Sequence, residues 1–257
     1  MEEGPVRLPE DVKTLAGRFA RELSLTAGGA AVTVTGSGGK TSLIRLLAGC
    51  GVWPKVLVAP TAKMLMPPPG SYGLFTGSRV LLPAPEGITL AGILDRKTGK
   101  LSSPPLPVLE KMAPAYDLLL MEGDGSRGLP LKGWTAREPV VPPFTTVTVG
   151  VIPLWPLGRR VSAEIVHRLP LFCALSGAAP GEIIRPGHLA NVITAAGGAR
   201  PARGLFAASR GRRILFFSQI EDPDAAEKAR ELSMLLCARG FRETVIAGSV
   251  FRNTAEW

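Results

Sequence analysis

Histidine and cysteine are scarce in this sequence. The 257 residues hold two histidines, His167 and His188. Two lone histidines give no support to a Ser–His–Asp triad. The three cysteines, Cys50, Cys173 and Cys237, are far apart and never in CxxC spacing. That argues against a zinc site or a disulfide framework. Each sits among apolar neighbours and reads as a small buried hydrophobe. A reducing cytoplasm is the expected compartment. No apolar run reaches the roughly 18 residues a membrane span needs. The opening Met1-Glu2-Glu3 has neither the basic residues nor the apolar stretch of a secretory signal. Internal repeats and low-complexity tails are absent as well.

What is present points to a packed, charged-surface domain. The chain is 46% apolar and 20% charged, a balance that excludes disorder. Its length fits one α/β domain spanning 1–257. The net charge of +9 suits phosphate-bearing ligands, an acidic partner or nucleic acid. The arginines are spread over the C-terminal half, densest at 210–213. With no zinc-finger or aromatic-rich RNA-binding signature, nucleic acid is not the expected partner.

Along the chain, buried-type strands alternate with helices. Residues 10–23 read as a helix, with Leu15, Phe19 and Leu23 on one face. Strands are expected at 31–35, 55–59, 117–121, 145–152, 213–218 and 243–247. Helices are expected at 40–48, 162–169, 189–195 and 223–239. Residues 65–112 are rich in proline and glycine and read as a β-hairpin or meander insertion, with a glycine turn at 95–100. Continuous rather than alternating apolar strands predict a mainly parallel sheet with helices on both faces.

The strongest local signal is Thr35-Gly36-Ser37-Gly38-Gly39-Lys40-Thr41-Ser42, a glycine turn between a buried strand and a helix. Such a turn points backbone N–H groups at an anion, and the helix N-terminus adds positive partial charge. Lys40 would reach the β- and γ-phosphates, and the Thr41 hydroxyl would ligand Mg²⁺. The usual first glycine of the pattern is Val34 here. The shorter form is similar to the ATP loop of the Mur ligases. A dinucleotide loop fits less well, because Thr41 stands at its third glycine.

Downstream, the apolar run 118–121 ends in Glu122-Gly123-Asp124-Gly125-Ser126-Arg127-Gly128-Leu129-Pro130-Leu131-Lys132. Ligands of open α/β sheets sit at the carboxyl ends of strands. Glu122 and Asp124 are therefore expected to face the glycine turn, one on Mg²⁺ and one on an attacking water. Arg127 and Lys132 would add positive charge near the phosphate.

This acidic segment, followed by Glu138-Pro139-Val140-Val141-Pro142, resembles the E-A-D-G-S-[KR]-x-x-P-L-K … H-E-P-V-I-P signature of the YqeC family. Members of that family are associated with the maturation of selenium-dependent molybdenum hydroxylases. Residues 34–41 match its G-x-G-G-K-T, and 56–64 loosely match its V-L-V-T-T-T-T-K. Gly123 stands in place of alanine, Arg137 in place of histidine, and one threonine of the run, Thr61, remains beside Lys63. The resemblance implies a P-loop NTPase-like fold and places Thr61 and Lys63 on the phosphates. It also implies a molybdenum hydroxylase, or its cofactor, as client. Residues 217–222 stand at a base-reading position of the family, with Ser218 where asparagine is expected, so ATP and GTP both remain open. A phosphoanhydride hydrolase is the leading expectation. A kinase- or ligase-like transferase and a non-enzymatic carrier of a phosphorylated cofactor are the alternatives.

Overall fold

The computed structural model describes residues 14–24, 29–195 and 203–256. The first helix, α1 (Leu15–Leu23), is capped by the Thr14 side chain, which accepts from the Gly17 N–H. Leu15, Phe19 and Leu23 are buried as their spacing requires. Residues 10–13 of the expected helix lie outside the described residues.

β1 (Ala30–Gly36) is buried at every position and leads into α2 (Lys40–Gly49). β2 (Lys55–Pro60) follows. The 65–112 segment then divides. β3 (Met64–Leu65), β6 (Ile93–Asp95) and β7 (Lys100–Ser102) make a small antiparallel sheet around the predicted glycine turn. β4 (Leu74–Gly77) and β5 (Gly87–Ala91) instead join the main sheet in parallel. Helix α3 (Leu106–Met112) packs Leu109 and Met112 into the core. β8 (Leu118–Glu122) is buried throughout. β9 (Leu131–Lys132), β10 (Val147–Pro153) and β11 (Val166–His167) precede α4 (Leu169–Ser176) and α5 (Pro186–Thr194). β12 (Arg212–Ser218), α6 (Pro223–Ala238), β13 (Thr244–Ser249) and β14 (Thr254–Ala255) complete the order.

The main sheet runs β14-β13-β12-β10-β1-β8-β2-β5-β4. Every neighbouring pair is parallel except β13–β14. This is the expected mainly parallel α/β sheet. β1 lies near its middle, so the turn after β1 is flanked by the carboxyl ends of β8 and β10. One core holds α1, α2 and one face of the central strands; on the other face, α4, α5 and α6 cover β10, β12 and β13, and α3 covers β1, β2 and β8 in a third core. Apolar cores on both faces account for strands that are apolar at every position.

Two readings need correction. Residues 162–169 are not a helix. Val166 and His167 pair with Leu131 and Lys132, and Arg168 takes a left-handed φ of 60° that no helix interior tolerates. Strand pairing wins there, and α4 starts afresh with Pro170 in its first turn. Cys237 is exposed rather than buried. It follows the buried Leu236 by one position, about 100° around α6. The dense arginines at 212 and 213 pair with Glu22 and Glu243. Among the described residues, no helix is long and apolar enough to cross a membrane.

Candidate phosphate-binding site

The glycine turn is shaped by the strand beneath it. Gly36 has φ 104°, and a Cβ there would stand 2.1 Å from the Val151 carbonyl oxygen. At Gly38, φ is 68° and a Cβ would meet Pro153 Cγ at 2.2 Å. Side chains are excluded at both positions by backbone angle and by contact with β10. Two hydroxyls pin the turn. Ser37 Oγ donates to the Pro130 carbonyl at 2.7 Å, and Ser218 Oγ donates to the Gly38 carbonyl at 2.6 Å.

Helix α2 opens without a side-chain cap, because its N-cap is Gly39. The N–H of Leu43 bonds the Gly39 carbonyl. The N–H groups of Lys40, Thr41 and Ser42 find no acceptor among the described residues. Unsatisfied first-turn donors beside a glycine turn are the physical basis of an anion cradle.

The parallel register sets Glu122 opposite Val34 and Pro60. It thereby reaches the start of α2. Thr41 Oγ1 donates to Glu122 Oε2 at 2.9 Å. Lys40 Nζ donates to the Gly36 carbonyl at 2.7 Å, 3.4 Å from Asp124 Oδ1 and 4.0 Å from Glu122 Oε1. Burial pushes the Glu122 carboxyl above its ordinary value, against the pull of Lys40 and the Thr41 hydroxyl.

Asp124 occupies a different environment. Its side chain is fully buried. The Gly36 N–H donates to both of its oxygens, at 3.1 and 3.2 Å. Lys132 Nζ lies 3.1 Å from Oδ2, and Trp134 Nε1 donates to the same atom. Lys132 also donates to the Gly125 carbonyl and to Glu138. Arg168 then holds Glu138 through two hydrogen bonds. Burial alone would raise the Glu138 carboxyl, but Arg168 and Lys132 outweigh it and hold the group at about 2. Asp124 thus braces the turn from behind, and Lys132 braces Asp124.

Gly36, Ser37, Gly38, Gly39, Lys40, Thr41, Glu122, Asp124 and Lys132 come together in one constellation. Ser42 is exposed at its margin and lines the adjoining cleft. Thr61, Lys63 and Arg127 stand apart. The Thr61 hydroxyl donates to the Val140 carbonyl at 2.6 Å and to the Glu122 carbonyl at 3.3 Å, tying loops together. Lys63 and Arg127 are exposed, with no hydrogen bond or ion pair to the turn. Arg127 contributes instead, after burial, Arg168 and Lys132, to holding the His167 imidazole below its ordinary value. Trp134, Arg168 and Ser218 carry contacts that sequence spacing does not reveal, since their partners lie 10, 30 and 180 positions away.

Beside the turn lies a cleft of about 710 Å³ that begins at Gly39 and Ser42 and continues over Ser218, Gln219 and Glu221. β12 lies between β10 and β13. The loops after those two strands therefore flank it, bringing the exposed Trp155 and Phe251 to its margins. Glu221 Oε1 accepts from Ser249 Oγ at 2.7 Å, and Arg252 Nε lies 3.3 Å from Oε2.

The family model described as YqeC protein matches residues 32–170, more than half of the chain and all of the constellation above. The Escherichia coli (strain K12) protein named "Uncharacterized protein YqeC" is 29% identical over 172 residues. That match covers 63% of this chain and 66% of the relative, just under two thirds of its length. No solved structure matches. With the signature residues and the family model in agreement, the chain belongs to the YqeC family.

Proposed function

We propose that this protein binds a magnesium nucleoside triphosphate, ATP or GTP, at the turn 36–42 and hydrolyses its terminal phosphoanhydride. The observation that carries the reading is the open first turn of α2, where the N–H groups of Lys40, Thr41 and Ser42 lack acceptors among the described residues, beside the Lys40 side chain and the Thr41–Glu122 pair. Backbone donors with a lysine neutralise phosphate charge without reorganisation. Lys40 leaves its carbonyl and carboxylate partners to meet the phosphates. The Thr41 hydroxyl and the Glu122 carboxylate are hard oxygen donors that would hold Mg²⁺. When bound, Mg²⁺ would neutralise charge developing on the phosphates. The cleft over Ser218 and Glu221 takes the base. Its carboxylate matches the paired N–H donors on the edge of guanine and opposes the ring acceptor of adenine, which favours GTP. The client is a molybdenum hydroxylase or its cofactor, as the signature implies, and a net charge of +9 suits an acidic partner.

A second reading, binding without turnover, draws on the enclosure of Asp124. Its oxygens are taken by Gly36, Lys132 and Trp134, with Lys40 close by, so it offers no open face to a water. The test is phosphate release from GTP and ATP with and without Mg²⁺, for wild type and Glu122→Gln. Mg²⁺-dependent release lost in the variant supports hydrolysis. Tight binding with no release, even with the client added, supports the carrier. Turnover that appears only with an added acceptor supports transfer.

A further inference from the structure

On the face of the sheet away from α2, a hollow of about 550 Å³ is lined by Arg137, Arg203, Arg210, Ser209, Val140 and Val141, with alanine and proline completing it and no acidic residue. Among the described residues, none of the three guanidinium groups has an ion pair or hydrogen-bond partner. By contrast, Arg168, Arg212 and Arg213 all have carboxylate partners. Three like charges around one concavity repel each other, and no described carboxylate pairs with any of them. The hollow is within the size range of small-molecule sites, about 300–1,000 Å³. Planar guanidinium forks match phosphate oxygens in pairs.

We infer that this hollow is a second anion site, separate from the glycine turn, that takes a small molecule carrying a phosphate group. Its floor touches the first site through the backbone. The Val140 N–H donates to the Gly123 carbonyl, between Glu122 and Asp124. The Val140 carbonyl accepts from Thr61, whose hydroxyl also reaches the Glu122 carbonyl. On the other side, the Arg203 N–H donates to the carbonyl of Trp134, whose indole holds Asp124. An anion drawing the three arginines together would pull on both links. The ligand is therefore placed to act as an effector of the neighbouring site. The site itself stands whether or not the turn binds nucleotide.

The test is pyrophosphate binding by calorimetry, using the full chain. Lys40→Ala removes the contribution of the turn. In that background one pyrophosphate site remains, and Arg137→Gln with Arg210→Gln weakens it at least tenfold. Both arginines are exposed, so these variants keep the fold, which thermal melting verifies. Arg96→Gln with Lys97→Gln, an equal charge loss on the distant hairpin, leaves the binding unchanged. The inference is overturned if Lys40→Ala abolishes all binding. It is equally overturned if the two charge-loss pairs weaken binding alike, since the site would then be only diffuse positive charge. If wild type and Lys40→Ala show the same single site, the hollow stands and the nucleotide reading falls.

Discussion

The Thr41 hydroxyl donates to Glu122 Oε2 at 2.9 Å, joining the first turn of α2 to the end of β8 across 81 positions of sequence. The same two oxygens are the proposed metal donors. Metal and proton compete for the Glu122 carboxylate, and burial favours the proton more than at an exposed carboxyl. Mg²⁺-dependent nucleotide binding is therefore expected to weaken as pH falls through the raised range of Glu122. In Glu122→Gln the Mg²⁺ dependence and this pH dependence disappear together. Calorimetry across pH reads both. A wild-type Mg²⁺ effect that is flat with pH removes Glu122 from the metal.

Acid stability tests the brace behind the turn. Glu138 sits at about 2 in the fold, against an ordinary value of 4.5. A depressed carboxylate stabilises above its unfolded value and loses that contribution as pH falls through its folded one. The wild type should thus lose up to about 3 kcal/mol between those two values, less the screening of its partly exposed side chain. Glu138→Gln is less stable at neutral pH and flatter below 4.5. Urea melts from pH 7 to 3 decide it, and parallel curves for the two proteins would count against the assignment.

Gly123 stands where the family signature has alanine, and the structure supplies a reason. A Cβ there would lie 2.9 Å from Thr33 Cγ2 and 3.1 Å from Thr35 Cγ2. Gly123→Ala is expected to cost about 1–2 kcal/mol through overpacking. Adding Thr33→Ser removes the nearer methyl and keeps the hydroxyl on Thr145, so part of the loss returns. Chemical denaturation of the single and double variants measures this. Additive losses would show that the threonine methyl is not the obstacle.

The base preference turns on Glu221. GTP is expected to bind more tightly than ATP, with a difference of about tenfold for a good paired contact. Glu221→Gln lowers GTP affinity and raises that for XTP, whose ring offers an acceptor in place of the guanine amino group. Competition binding with the three nucleotides reads the preference. Equal affinities in wild type, untouched by the variant, would remove Glu221 from base recognition.

Much of the site was legible in the sequence because its chemistry is local. Glycines at 36, 38 and 39 take positive φ in the fold, and a lysine and a threonine follow them directly. The strand-end position of Glu122 also follows from an apolar run that stops at an acid. The surroundings of Asp124 were not legible. They depend on Lys132 and Trp134 folding back 8 and 10 positions later, and on Arg168 closing over Glu138. The failure at 162–169 has the same origin. A two-residue pairing with β9 overrides a helical apolar pattern. In 65–112, local texture shows β-rich structure, but only the tertiary sheet recruits β4 and β5 to its edge.

The measurement closest to the central claim is nucleotide binding by calorimetry, with and without Mg²⁺, on wild type and on Lys40→Ala, with folding verified by melting. The expected result is Mg²⁺-dependent binding in the wild type, weakened at least a hundredfold in the variant. A variant that binds as well as the wild type, or a wild type that binds no nucleotide, would contradict a phosphate cradle at residues 36–42.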